Sequence, residues 1–241
     1  MLKNSAFIGL AEKLAVIYRL SSPCDLPLQA LMSLSPAEQL AKYLLEIKAV
    51  KLSVDEPFTW TSGIQSPIYC DNRVVLSFPP VRDFVKSELA NIFKENFTNA
   101  DMMAGIATAG IAHGALAAQE LNIPYCYVRP EPKKHGMKNQ IEGFMPAGSK
   151  LVLIEDLIST GKSSLQAVNG VIKDGGEVLG VIALFTYGFE SAKALFAQRG
   201  IALHTISNFE ILGKVALESS YITAEQYEAI KKFMANPHSW Q

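Results

Sequence analysis

The chain has 241 residues, 49% of them hydrophobic, so it is long enough to bury one large core. Its 22 basic and 23 acidic residues give a net charge of −1, which argues against a general attraction to nucleic acid or to an anionic membrane. The three cysteines support neither a disulfide framework nor a zinc cluster, and no uninterrupted apolar run reaches membrane-spanning length. We therefore expect a cytoplasmic protein with one main domain and extensions.

The first third of the chain has the periodicity of amphipathic helices. Residues 1–35 carry an apolar stripe that we expect to pack on the domain rather than on a partner, formed by Phe7, Leu10, Leu14 and Ile17. The segment SPAE at 35–38 predicts a helix start, because Ser35 can cap it and Glu38 can reach back to the cap amide. After two prolines, a third helix is predicted from about Val81 to Phe93.

From Ala100 onward, short apolar runs alternate with helical segments. The runs are MMAGI, YCYV, LVLI, VLGVIALF and IALHTI. Near-continuous apolar strands that alternate with helices predict an α/β fold, a mostly parallel sheet flanked by helices. Ligands bind at the carboxyl ends of the strands in such sheets. A capping box at residues 223–226 predicts a final helix.

The segment LVLIEDLISTGKSS, residues 151–164, combines a strand with an acidic pair and a hydroxyl-rich turn. Glu155 and Asp156 are expected directly after the strand, and the following helix has its apolar stripe at Leu165, Val168 and Ile172. Amides at the start of that helix, with the helix dipole, form an anion site that needs no basic residues. The serine and threonine hydroxyls of residues 159–164 can add donors, and Gly161 allows a close approach of the backbone to a phosphate.

A nucleotide-triphosphate P-loop is the obvious competitor, since Gly161-Lys162-Ser163 matches the end of that motif. In that frame Asp156 takes the place of the first glycine, and its carboxylate would repel the phosphates. Two adjacent acids suit instead a ligand with a diol beside its phosphate, and could help to hold hydrated magnesium. A solvated loop edge is the alternative, which the whole pattern disfavours.

Two further loops follow predicted strands. Residues 105–110, GIATAG, leave amides available for a diphosphate, although small residues also let a helix pack close to a sheet. Residues 129–150 form a long polar connection with concentrated positive charge, at Arg129, Lys133, Lys134, His135 and Lys138. Such a run is commonly a solvated charged loop, but it is also what the departure of pyrophosphate needs.

The strand, the Glu-Asp pair and the T/S-x-G-x-S loop resemble the phosphoribosyl pyrophosphate signature of the type I phosphoribosyltransferases. The resemblance implies that Glu155 and Asp156 bind the ribose hydroxyls. It also implies that the following loop surrounds the 5-phosphate, through Leu157, Ile158, Ser159, Thr160, Gly161, Lys162 and Ser163. The loop at 105–110 matches the family's pyrophosphate loop in position.

A third block, FTWTSG and SPIYCDNR within residues 58–73, resembles the orotate-enzyme segment F-T-x-x-S-G-x-x-S-P-x-Y. An aromatic loop can stack a planar base, and a guanidinium can pair with a carboxylate on it. By residue type alone, Phe58 and Trp60 would be core residues. We expect Tyr69, Arg73 and Ser159 to bind orotate.

The chain departs from many relatives at two places. They carry a lysine where this chain has Thr61, and an Asp-Arg pair where it has Thr186-Tyr187 after VIALF. An arginine at the latter place would contact orotate. We therefore expect Arg73 to pair with the orotate carboxylate instead.

The basic loop resembles the catalytic loop of the orotate phosphoribosyltransferases, an arginine followed by lysine, histidine and glycine. This implies catalytic roles for Arg129, Lys133 and His135, with Lys134 also contacting the donor. That family often has a lysine directly after the arginine, where this chain has Pro130. Lys134 or Lys138 could compensate.

The resemblance implies transfer of a phosphoribosyl group from phosphoribosyl pyrophosphate to orotate, giving orotidine monophosphate and pyrophosphate in pyrimidine synthesis. It also implies Mg²⁺, held mainly by substrate and water near the acidic pair, and a homodimer whose catalytic loop reaches the neighbouring site. The rivals are a phosphoribosyltransferase for a purine or uracil and a non-catalytic regulator that senses the donor. The basic loop disfavours both. The segment within residues 58–73 also argues against the first, and the balanced charge against the second.

The expected domain organisation has four parts. Residues 1–35 form an N-terminal helical extension, and residues 36–80 form a hood segment that binds the base. The phosphoribosyltransferase core covers residues 81–210, and residues 211–241 form a C-terminal helical extension.

Overall fold

A mostly parallel sheet lies at the centre of the computed structural model, which describes residues 34–59, 65–131 and 140–237. In chain order the strands are β1 (Val50–Leu52), β2 (Phe58–Thr59), β3 (Gln65–Ser66), β4 (Ile68–Cys70), β5 (Met102–Ile106), β6 (Tyr125–Val128), β7 (Ile141–Glu142), β8 (Lys150–Ile158), β9 (Glu177–Thr186) and β10 (Ala202–Asn208). The six-stranded central sheet has the order β10-β9-β8-β5-β6-β7, with only β7 antiparallel to its neighbour. Strands β1 and β4, and β2 and β3, form two small antiparallel pairs.

Helices cover both faces of this sheet. They are α1 (Pro36–Glu46), α2 (Pro79–Asn96), α3 (Gly110–Leu121), α4 (Lys162–Lys173), α5 (Glu190–Gln198), α6 (Phe209–Glu218) and α7 (Ala224–Ala235), with a 3₁₀ helix at Asn72–Ser77. Helices α1 and α7 begin at the predicted capping boxes, in which Ser35 pairs with Glu38 and Thr223 with Gln226. The predicted α/β architecture is confirmed.

The side chains of adjacent sheet residues enter different cores. Met103, Val152 and Ile154 join a cluster with α1, α2 and α6, whereas Met102 and Leu153 join a second cluster with α4 and α5. Alternate residues of a strand point to opposite faces, so a strand buried on both sides reads as a continuous apolar run. That is why LVLI and MMAGI could be recognised as strands.

Four details differ from the predictions. Glu155 and Asp156 lie inside β8 rather than after it, because the pairing of β8 with β9 continues to Ile158 and Thr186. Ile172 is 53% exposed, and Val171 is buried in its place. The short edge strand β7 and the separate helix α6 were not predicted.

The predicted apolar stripe of Phe7, Leu10, Leu14 and Ile17 lies outside the described residues. Among the residues that are described, none of the helices has the length and apolarity needed to cross a membrane.

Candidate active site

Glu155 and Asp156 lie side by side near the carboxyl end of β8. Glu155 is only 7% exposed, and its Oε2 accepts a hydrogen bond from the Ser164 hydroxyl at 3.2 Å. The Asp156 amide donates to Glu155 Oε1 at 3.1 Å. A solvated loop edge is therefore wrong for this pair. The hydroxyl of Ser164, considered in the sequence as a phosphate donor, is engaged by Glu155 instead.

Burial disfavours the ionised form of both acids. Burial raises the pKa of both carboxyl groups, and the charge of Asp156 raises the pKa of Glu155 further. Desolvated carboxylates in contact are stabilised by hydrogen-bond donors or by a cation. A ribose diol supplies such donors, and Mg²⁺ prefers oxygen ligands of this type. The pair is therefore chemically suited to both.

The turn after β8 leads directly into the start of α4. Gly161 precedes the helix with φ of +76°, a conformation that favours glycine, and a Cβ there would come within 2.7 Å of the Phe196 ring. No side chain of the described residues caps α4, and Thr160, Lys162 and Ser163 are exposed. The first-turn amides are thus open to an anion, beside the acidic pair.

The start of α3 lies against the same region of the sheet. Added side-chain atoms at Gly105 would overlap Tyr125 and Gly110, and at Gly110 they would overlap the Ile154 carbonyl. These two glycines therefore allow close helix–sheet packing, one of the two roles considered from the sequence. No side chain in the described part of the chain caps α3 either. Two helix N-termini consequently face this end of the sheet.

The segment 69–73 lies next to the acidic pair. The Asn72 side chain donates to the Asp156 carbonyl oxygen at 2.7 Å, which joins the two segments directly. Arg73 forms a two-bond pair with Asp71, with Nε and Nη2 donating at 2.6 and 2.8 Å. Tyr69 is 39% exposed, and its ring centroid lies 5.6 Å from that of the half-buried Phe58.

Three residues near the site had no role assigned from the sequence. Asn72 is fully buried, and so is His113, which lies on α3. Tyr187 is 6% exposed and packs near Phe185 and Phe189, with ring centroids 6.2 and 5.7 Å away. Burial, followed by nearby Cys70 and Asp156, raises the pKa of Tyr187. The position of the family's arginine is thus a buried aromatic residue.

The ends of the basic loop are held on the sheet. Arg129 Nη1 lies 3.3 Å from Glu142 Oε1, and the Arg129 amide donates to the Gln140 carbonyl at 2.9 Å. The Gln140 side chain donates back to the Arg129 carbonyl at 3.1 Å. Of the predicted catalytic residues Arg129, Lys133 and His135, only Arg129 lies within the described part of the chain. Lys133, Lys134 and His135 lie outside the described residues.

Comparisons with known proteins agree with this geometry. Residues 77–198 match the phosphoribosyl transferase domain family. The orotate phosphoribosyltransferase of Lactococcus lactis subsp. cremoris is 49% identical over 210 residues, covering 87% of this chain and 100% of the relative. That of Cutibacterium acnes is 51% identical over 204 residues, covering 85% of this chain and 94% of the relative.

The chain belongs to the orotate phosphoribosyltransferase family.

Solved structures of this family share the fold. The orotate phosphoribosyltransferase from Aeropyrum pernix superposes with a TM-score of 0.66 at 28% identity, covering 76% of this chain and 99% of that one. UMP synthase of Leishmania donovani gives a TM-score of 0.71 at 28% identity, covering 82% of this chain and 42% of that one. The predicted family and fold are both confirmed.

Proposed function

We propose that this protein transfers the phosphoribosyl group from phosphoribosyl pyrophosphate to orotate, giving orotidine 5'-monophosphate and pyrophosphate in pyrimidine synthesis. The observation that carries the proposal is the buried Glu155, with the half-buried Asp156 next to it, beside the uncapped start of α4. This places a diol acceptor next to an anion site, and phosphoribosyl pyrophosphate has a diol next to a phosphate. Relatives about 50% identical carry the matching name.

In this proposal the donor, phosphoribosyl pyrophosphate, contacts three parts of the site. Glu155 and Asp156 accept from the ribose hydroxyls, and residues 157–163 surround the 5-phosphate. Residues 105–110, at the start of α3, provide amides for the pyrophosphate. The carboxylate oxygens of Glu155 and Asp156 would help to hold Mg²⁺, together with oxygen atoms of the substrate and water. When bound, it shares the negative charge of the leaving pyrophosphate.

Tyr69, Arg73 and Ser159 hold orotate. The Tyr69 side chain is exposed enough to stack on a planar ring, and Ser159 is half-buried in the turn after β8. Arg73 is 64% exposed, and its bonds to Asp71 use two of the five guanidinium donors. The remaining donors are available to a carboxylate on the base.

Departure of pyrophosphate leaves positive charge at the anomeric carbon, so catalysis depends on positioning and on charge. Arg129, Lys133 and His135 stabilise the departing diphosphate in this scheme. The protein is a homodimer in which the loop carrying Lys133 and His135 serves the neighbouring site. Residues 36–80 form the base-binding hood on a core of residues 81–210, and the composition suits a cytoplasmic enzyme.

One assay tests the proposal directly. The protein is incubated with phosphoribosyl pyrophosphate, Mg²⁺ and, separately, orotate, uracil, adenine, guanine or hypoxanthine, and the disappearance of each base is followed. We expect consumption of orotate alone, with pyrophosphate released in equal amount. Consumption of another base instead identifies a different phosphoribosyltransferase. Tight donor binding without consumption of any base identifies a regulator. An Asp156→Asn variant serves as the inactive control.

A further inference from the structure

Asn72 is a fully buried polar residue that joins three parts of the candidate site. Its side-chain nitrogen donates to the Asp156 carbonyl oxygen at 2.7 Å, across 84 positions of sequence. Its side-chain oxygen accepts from the Cys70 thiol at 3.4 Å. Its backbone lies beside the ring of His113 on α3 and raises the pKa of that histidine. Both ends of the carboxamide are thus satisfied within the site.

Each neighbour of Asn72 belongs to a different part of the candidate site. Cys70 lies between Tyr69 and the Asp71–Arg73 ion pair, in the segment proposed to hold the base. Asp156 belongs to the pair proposed to hold the ribose. His113 is on the helix whose first turn packs on Ile154, beside the pyrophosphate loop. A shift at Asn72 therefore changes the distance between the bound base and the bound sugar.

We propose that Asn72 is a positioning residue that fixes the base-binding segment relative to the ribose-binding carboxylates. This inference rests on the proposed function. Transfer requires the attacking nitrogen of the base to meet the anomeric carbon in line with the leaving group. A misplacement of about 1 Å can lower the rate of such a step on the order of a hundredfold. Donor binding alone does not require this alignment, because the donor contacts lie on β8, α3 and α4.

The test separates alignment from simple stability. Asn72→Ala removes both side-chain hydrogen bonds. Asn72→Ser keeps a hydroxyl group and is used if the alanine variant does not fold. Three quantities are measured: kcat/KM for orotate, the Kd of phosphoribosyl pyrophosphate with Mg²⁺ in the absence of orotate, and Tm. Asn96→Ala is the matched control, because the Asn96 side chain also donates to a backbone carbonyl, that of Ile92 at 2.9 Å, but at the exposed end of α2.

We expect kcat/KM for orotate to fall about tenfold or more in the Asn72 variants, while the donor Kd stays within about twofold. The Asn96 control should change neither value. If the activity loss matches the unfolded fraction alone, or if the donor Kd weakens as much as kcat/KM, Asn72 has only a structural role. A wild-type protein that does not consume orotate would instead defeat the proposed function, and this role with it.

Discussion

A Cβ atom on Gly110 would overlap the carbonyl oxygen of Ile154, the residue directly before the acidic pair. The overlap is with backbone atoms, which cannot move aside as a flexible side chain can. The first turn of α3 is therefore fixed against β8 by the absence of a side chain at Gly110. The position of the α3 start thus depends on the strand that carries the acids proposed to bind the ribose.

Replacing Gly110 with alanine should damage both stability and donor binding. Alanine normally favours a helix by about 1 kcal/mol over glycine, but overpacking costs roughly 1–3 kcal/mol and displaces the first turn of α3. Urea unfolding should show a net loss of stability, and calorimetric titration should show weaker phosphoribosyl pyrophosphate binding. Gly114→Ala, on the same helix, is the control, because its nearest neighbour is a side-chain atom, a Tyr125 ring carbon at 3.0 Å, rather than backbone. Equal behaviour of the two variants would contradict this account.

Replacing Glu155 with glutamine should stabilise the protein at alkaline pH while abolishing activity. Burial raises the pKa of the folded-state carboxyl above its unfolded value of 4.5. Ionisation of Glu155 therefore destabilises the folded state, fully above the folded pKa and decreasingly as pH falls toward 4.5. Glutamine removes this penalty, and its amide can still pair with Ser164 and the Asp156 amide.

The expected gain in the free energy of unfolding is on the order of 1–3 kcal/mol at about pH 9, measured by urea titration at several pH values. The gain should shrink as the pH is lowered. Glu218→Gln, at the exposed end of α6, should show no comparable gain. A Glu155→Gln variant less stable than wild type at every pH would show that the carboxylate is a net stabilising group.

Replacing His113 should remove part of the loss of stability in acid. Burial lowers the pKa of His113 to about 4, while the nearby Asn72 backbone opposes this change. The unfolded chain, with a histidine pKa of 6.5, binds a proton that the folded protein does not. Stability is therefore full above pH 6.5 and is lost as pH falls from 6.5 to about 4.

This loss should amount to at most about 3 kcal/mol, and His113→Gln should lack it. The measurement is the free energy of unfolding of both proteins at pH 7.5 and at pH 4.5, compared as a difference so that the opposite contribution of Glu155 cancels. His204→Gln, a half-buried histidine on β10, is the matched control. Parallel pH curves for wild type and His113→Gln would contradict the prediction.

Local signals in the sequence located the helices well, whereas long-range pairing decided the details of the site. The starts of α1 and α7 depend on residues three positions apart, so Ser35 and Thr223 predicted them directly. The end of β8 depends on how far β9 runs beside it, which no local pattern encodes, so Glu155 and Asp156 were expected in the wrong element.

The roles of the buried polar residues were hidden for the same reason. Asn72 stands within a recognised motif, but its partner Asp156 is 84 positions away. Tyr187 was identified in the sequence only as the absence of an arginine, and its burial follows from packing on Phe185 and Phe189. The acidic pair itself could be recognised because its residues and the phosphate loop are contiguous in the chain.

Replacing Arg73 with alanine should weaken orotate binding specifically. A charge-assisted pair with a carboxylate contributes roughly 1.5–3 kcal/mol, so the KM for orotate should rise about tenfold or more. The KM for phosphoribosyl pyrophosphate should change little. Arg199→Ala is the control, because that arginine bonds to Asn169 on the exposed side of α4. Unchanged orotate affinity in Arg73→Ala would show that another residue meets the carboxylate.

Mixing two inactive variants should restore activity if the catalytic loop serves the neighbouring subunit. In a hybrid dimer, the site of the Asp156→Asn chain receives the loop with Lys133→Ala and so carries both defects. The site of the other chain keeps Asp156 and receives an intact loop, so it carries neither. Random pairing makes about half of the dimers hybrid, so activity should recover to about a quarter of that of wild type. The chains are mixed, dissociated in mild denaturant, refolded together and assayed with orotate and phosphoribosyl pyrophosphate. Each variant taken alone through the same treatment should stay inactive, and a mixture that is equally inactive would place Lys133 and Asp156 in the site of one chain.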